Sequence, residues 1–214
     1  MNKLHFGVLC CLLFLMGCNQ KDKKQQQTKV DSVEMVSAAP VNIQEQNQLS
    51  EVITRFVRAY SSRDNAKINA LINPEIGLYI IYRPGAADTF VHVDSLDFSK
   101  PIPDYFDYPE LESDYALVYE KLPSFDCGNS SWDKEGFICD TTMNANQLSN
   151  IAAFEKEFDQ DKLTDEQLLE IEQAEKQTFR VILTAQNPLI FHVRKYKGSW
   201  YVSAIDRAYA GCDA

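Results

Sequence analysis

In the stretch LSEVITRFVRAY, Leu49, Val52, Ile53, Phe56, Val57 and Tyr60 recur three and four residues apart. That spacing predicts a helix with one continuous apolar stripe facing a core. Ser61 and Ser62 interrupt the pattern; Asp64 stands where it can cap a second, short helix carrying Ile68, Leu71 and Ile72, which Asn73 and Pro74 end. From Leu78 the period changes. Leu78, Ile80 and Tyr82 alternate with Tyr79 and Ile81 and stop at Pro84 and Gly85, predicting a strand buried on both faces. TFVHVD, residues 89–94, predicts a second strand that pairs back on it through a turn at 84–88.

Residues 97–142 read as loop with one short helix, and GFICDTT within them as an edge strand. Leu148, Ile151, Phe154 and Phe158 give a helical spacing over 147–158, and LTDEQLLEIEQAEKQ a further helix with Thr164 and Gln167 as a capping box. TFRVILTA, LIFHVRKY and SWYVSAIDR predict three strands, joined by turns at Gln186, Asn187 and Pro188 and then at Lys197 and Gly198. The class is α+β, ending in a β-meander.

Ahead of this domain the chain is patterned differently. Lys3, an apolar run from Phe6 to Met16, and then Gly17 and Cys18 match the charged, apolar and small-residue parts of an export signal, and the run is too short to span a bilayer. Leu15, Met16, Gly17 and Cys18 resemble the lipobox of bacterial lipoproteins. The resemblance implies cleavage before Cys18 and acylation of its thiol, which gives stable membrane anchoring when two or three chains are attached. Residues 19–47 are rich in Gln, Lys, Ser and Asp and have too little apolar surface to order themselves, so 1–17 read as signal, 18–47 as a lipidated tether and 48–214 as one domain. Gln20, Lys21 and Asp22 resemble part of a surface-export signal of Bacteroidota lipoproteins, with Lys23 where a second acid belongs. The expected place is the outer membrane, with the leaflet open.

The net charge is −10, and loss of the single positive charge of Lys3 with the signal takes it to −11. Such a surface argues against nucleic acid and against flat docking on anionic lipid. Of six cysteines, Cys10 and Cys11 leave with the signal and Cys18 takes the lipid, so Cys127, Cys139 and Cys212 remain. In an oxidising compartment one bridge is expected, Cys127 to Cys139 closing a loop that contains Gly128 and Gly136, with Cys139 to Cys212 as its rival. No CxxC pair or metal-ligand histidine spacing occurs, so neither a metal nor another cofactor is expected.

His92 and His192 each sit mid-strand between apolar neighbours, where Asp94, Asp206 or Tyr82 could join them in acid/base work; the alternative is a pair of hydrogen-bonded or solvent-facing strand residues. No HExxH, GxSxG or phosphate-cradling glycine loop is present, and no catalytic residue is assigned. Residues 159–170 carry acids in a calcium-loop frame but have Leu163 and Thr164 where a ligand and a turn glycine belong. DYFDYPELESDY, residues 104–115, offers Tyr105, Phe106 and Tyr108 either as a recognition surface or as a lid whose rings fold inward.

The element order over residues 49–207 resembles the NTF2-like, or cystatin-like, α+β fold, which implies N-terminal helices packed on a curved, mainly antiparallel sheet. That fold hosts small-molecule enzymes and non-catalytic lipoproteins alike. It implies a pocket on the concave face, for which Tyr79, His92, His192 and Tyr201 are the candidates. The expectation is a lipid-anchored extracytoplasmic module that binds a small ligand or an envelope protein, the alternative an acid/base enzyme. Replacing Cys18 with Ala is expected to abolish acylation. Metabolic labelling with an alkyne palmitate should mark the wild-type chain and not the variant; label retained on Cys18→Ala would rule the lipobox out.

Overall fold

Asn42 sets where the chain turns helical: its side chain accepts from the Glu45 N–H while Glu45 returns a bond to the Asn42 N–H. The structure, a computed structural model, describes residues 42–159 and 162–208; the signal, most of the tether, Cys18 and Cys212 lie outside them. This reciprocal cap starts helix α1 at Ile43–Ser61, upstream of the domain start expected at residue 48. A cap made of polar residues looked, without its geometry, like more tether. Asp64 caps α2 (Asn65–Asn69) by accepting from the Lys67 N–H.

The strands β1 (Leu78–Tyr82) and β2 (Thr89–Val93) form the expected antiparallel hairpin. Three short strands follow, β3 (Leu117–Tyr119), β4 (Phe125–Asp126) and β5 (Ser131–Trp132), then β6 (Phe137–Cys139). Helices α3 (Gln147–Phe158) and α4 (Asp165–Glu175) lead into β7 (Thr178–Leu183), β8 (Leu189–Tyr196) and β9 (Ser199–Asp206), the expected meander. Seven strands join in the order β2-β1-β9-β8-β7-β6-β3, mainly antiparallel, with β4 and β5 as a separate hairpin. The two parallel contacts are β1 with β9 and β3 with β6. The stretch read as an edge strand, GFICDTT, is therefore an interior strand in part, because β3 adds outside it.

Alternation along each strand sends its residues to two faces. Leu78, Ile80, Phe191, Val193, Val202 and Ile205 pack with Leu49, Ile53 and Phe56 of α1 and Ile68 of α2. On the other face Ile81 and Ala204 pack with Leu148, Ile151 and Ala152 of α3 and Ile171 of α4. The first core is the larger. At its centre Phe56 meets Phe191 with ring centroids 4.6 Å apart.

Residues 95–116 form a connection over the first core without regular structure. Tyr108 folds inward between Tyr60 and Phe98, edge to face with both, as the inward-lid expectation has it. Tyr105 stays 69% exposed. Two arginines hold the connection by its carbonyls. Arg63 donates to the oxygens of Tyr108 and Phe98, and Arg207 to those of Ile102, Phe106 and Asp107, with its guanidinium carbon 4.5 Å and 4.3 Å from the Phe106 and Tyr108 ring centroids.

The expected Cys127 to Cys139 bridge is a correction. Cys139 is a free thiol, 0% exposed inside β6, while Cys127 is exposed in the β4–β5 turn and disulfide-bonded to a cysteine other than Cys139. The rival, Cys139 to Cys212, is not formed either, because Cys139 is a free thiol. Asp126 orders the turn instead, accepting from the Gly128 and Asn129 N–H groups and from the Asn129 amide. Burial and the neighbouring Asp140 push the Cys139 thiol up, so it stays protonated.

Phe56→Ala is expected to cost about 3–5 kcal/mol of unfolding free energy, because a fully buried ring leaves a cavity between α1 and β8. Urea unfolding of the full chain measures it; a loss below about 1 kcal/mol would mean that α1 contributes little to this core.

Candidate functional site

The sheet register builds a row of side chains across the second face. His92 of β2 stands beside Tyr79 of β1, Tyr79 beside Ala204 of β9, Ala204 beside His192 of β8, and His192 beside Arg180 of β7. Three of the four candidate pocket residues lie on this row. Neighbouring strands are about 4.8 Å apart, so His92 and His192 stand about 14 Å from each other. They cannot share one reacting atom.

His192 is sealed. It is 0% exposed, and its Nε2–H donates to the Gln147 Oε1 at 3.0 Å. Gln147 in turn donates through Nε2 to Asp206 Oδ2 at 2.8 Å, an oxygen that also accepts from Arg180 at 2.7 Å, while Asp206 Oδ1 accepts from the Ala208 N–H. The expected partnership of His192 with Asp206 exists through Gln147 and not by direct contact. Burial, aided by the Arg180 charge, pulls the imidazole down to about 3, so at neutral pH it is uncharged, with Nδ1 the bare nitrogen.

The same layer is held by a second buried carboxylate. Helix α3 begins at Asn146 with φ 50° and no side-chain cap of its own. Glu175, at the end of α4 and 2% exposed, supplies the cap by accepting from the Leu148 and Ser149 N–H groups at 2.8 and 2.9 Å. A carboxylate here meets both the unsatisfied N–H groups and the positive end of the helix dipole.

His92 is exposed on the edge strand, its Nε2–H donating to the Ile76 carbonyl at 2.9 Å. Its ring lies 4.5 Å from that of Tyr79, and Phe90 meets Tyr79 edge on at 5.4 Å. Gly77 makes this possible. With φ +60° it turns beneath the imidazole, and a Cβ there would come within 2.3 Å of His92 Nε2.

Between α4 and strands β1, β2 and β8 lies an open groove of about 940 Å³, walled by Tyr79, Phe90 and His92 on one side and by Gln167, Ile171 and Ala174 on the other. Arg194, Lys195, Tyr196 and Lys197 close its end. Burial raises the Tyr79 hydroxyl and lowers the Arg194 guanidinium from their usual values. Of the candidates, Tyr79 and His92 come together here; His192 lies beneath α3, and Tyr201 pairs across strands with Arg194 without lining the groove.

Arg194, Glu170, Gln147 and Arg180 were not expected at the site. Arg194 left a signal, since two-residue alternation in LIFHVRKY puts it on the same face as His192. Gln147 left none, because its role depends on where α3 lands. Among the described residues no group of three metal-ligating side chains occurs, and no helix is long and apolar enough to cross a membrane. No protein-family model, curated protein or solved structure matches the chain.

The lowered value for His192 fixes a pH dependence. Because the folded value lies below the 6.5 of a free imidazole, the unfolded chain takes the proton first, so stability is full above that pH and falls as pH drops toward about 3. Inside this window the His192 contribution amounts to about 1.4 kcal/mol per pH unit. His192→Asn keeps a donor for Gln147 and removes the titration. Its unfolding free energy should fall less steeply than the wild type's between about pH 6 and about pH 4; equal slopes would show that His192 is not held neutral.

Proposed function

We propose that this chain is a lipid-anchored, extracytoplasmic binding module of the outer-membrane envelope, tethered through Cys18, whose domain takes up a small ligand without transforming it. The observation that carries the reading is the open aromatic groove on a face whose two histidines serve separate ends. His92 helps to wall the groove, while His192 is sealed and committed to Gln147. General acid/base catalysis needs a titrating group within hydrogen-bond reach of the reacting proton, and a histidine that is neutral and enclosed does not offer one. Tyr79 and His92 present instead a flat, half-exposed surface suited to stacking.

The NTF2-like resemblance belongs to the same proposal. In its favour are the two helices ahead of the β1–β2 hairpin, the return of the last strand to pair beside the first, and the meander that ends the sheet. The lipobox residues Leu15 to Cys18 and the polar tether behind them support envelope attachment, and the acidity of the chain keeps nucleic acid outside the reading.

Native mass spectrometry of the full chain, extracted in detergent from its own envelope, tests this. The wild type should carry a small molecule that leaves on denaturation, and Tyr79→Arg, which pushes a long cation into the groove, should arrive bare. A wild-type chain that arrives bare, or a molecule recovered chemically altered after incubation with the chain, would overturn the binding reading.

A further inference from the structure

Resting on the binding reading, we propose that Arg194 anchors a site for small carboxylates or phosphates that carry a flat apolar body. The groove's cations differ in how they are used. Lys195 pairs with Glu45, and Lys197 with Glu75 at 2.5 Å. Arg194 meets no carboxylate and makes no side-chain hydrogen bond among the described residues, although its Nε is buried. A half-buried guanidinium with donors unused is costly to desolvate, and an acceptor that reaches it from the groove recovers that cost. Its fork of donors fits the two oxygens of a carboxylate or phosphate better than any single acceptor does.

The surroundings define the rest of the ligand. Tyr196 lies under the guanidinium, with the Arg194 carbon 5.5 Å from its ring centroid, and its own hydroxyl donates to Glu75, so this ring is fixed. Beyond it the Tyr79 and His92 rings and the Ile171 and Ala174 side chains form two apolar walls. An anion on Arg194 with a planar body directed along the groove places its ring against Tyr79. One acidic side chain competes for the same cation. Glu170 of α4 lines the groove and forms no ion pair among the described residues, so it is free to swing toward Arg194 when no ligand is present.

The test uses the full chain in detergent with benzoate, benzamide and phenyl phosphate as probes, read by saturation-transfer NMR titration. Benzoate and benzamide share shape and differ in charge. Wild type should bind benzoate at least tenfold more tightly than benzamide, and Arg194→Met, which keeps the aliphatic stem on Tyr196, should lose that preference while still binding benzamide. Glu170→Gln, on an exposed helix position, should tighten benzoate at least twofold and leave benzamide unchanged. The tighter of benzoate and phenyl phosphate names the headgroup. Equal binding of benzoate and benzamide to wild type, or a preference that survives Arg194→Met, would overturn the proposal. A cellular ligand retained by the wild type together with no benzoate preference would reject the anion assignment alone. Benzoate preference on a chain that carries no cellular ligand would reject the binding reading alone.

Discussion

The parallel pairing of β1 with β9 is the contact on which the rest of the structure depends. Tyr79, Ile80 and Ile81 lie beside Ala204, Ile205 and Asp206, and the chain beyond adds a bond from the Arg207 N–H to the Ile81 carbonyl. Without it the β1–β2 hairpin would be a separate two-stranded ribbon, which is marginal by itself in water. With it, the first hairpin extends the meander and the row from His92 to Arg180 becomes continuous. Its cost is long-range closure, since the two strands are far apart in the chain; the entropy of that loop grows slowly with length and is offset by the apolar surface that β1 buries on both faces.

Polar groups then decide how the second face is covered. Asp206 ends β9 and is engaged by Arg180, Gln147 and the Ala208 N–H, and Glu175 closes the first turn of α3. Buried ionic groups of this kind contribute little net stability, since desolvation opposes their attraction, but removing one partner leaves the other unpaired at several kcal/mol. Their effect is positional. Gln147 must sit where it bridges His192 and Asp206, and this fixes the start of α3; Glu175 then fixes the end of α4 against it. The groove is the space left between α4 and the sheet once these two points are set.

How much of this was legible in the sequence follows the range of each interaction. The stripe from Leu49 to Tyr60, the alternation of the meander and the Thr164 capping box are local, and α1, β7 to β9 and α4 follow from them. The start of α1 at Ile43 was missed because Asn42 and Glu45 cap it with side chains that read as tether. The middle of the chain was the least legible: β3 and β6 are three residues each, too short for period to register, and pair in parallel across a long separation. The cysteines show the same limit. Closeness in sequence favoured Cys127 with Cys139, but the sheet carries one into the core and leaves the other on a turn. Among site residues, Tyr79 and His92 were found because they lie in strongly patterned strands, whereas Tyr201, which the register shift between His192 and Val193 sets opposite Arg194, does not line the groove.

In the proposed site, charge would set selectivity as a matter of range. The chain as a whole carries −10, but in salt that charge is largely screened beyond about 8 Å, so it does not draw an anion in from a distance. Inside the groove the balance is local, because Lys195 and Lys197 are neutralised by Glu45 and Glu75 and Arg194 is not. Attraction therefore acts at contact and not by steering, which makes complementarity of shape a condition for any favourable electrostatic term. The proposed site would pass over freely diffusing inorganic anions, which bring charge without a surface to lie against Tyr79, and would favour ligands whose apolar body brings the charged end within reach of the guanidinium. In the proposed site the aromatic wall of Tyr79 and His92 is what supplies that discrimination.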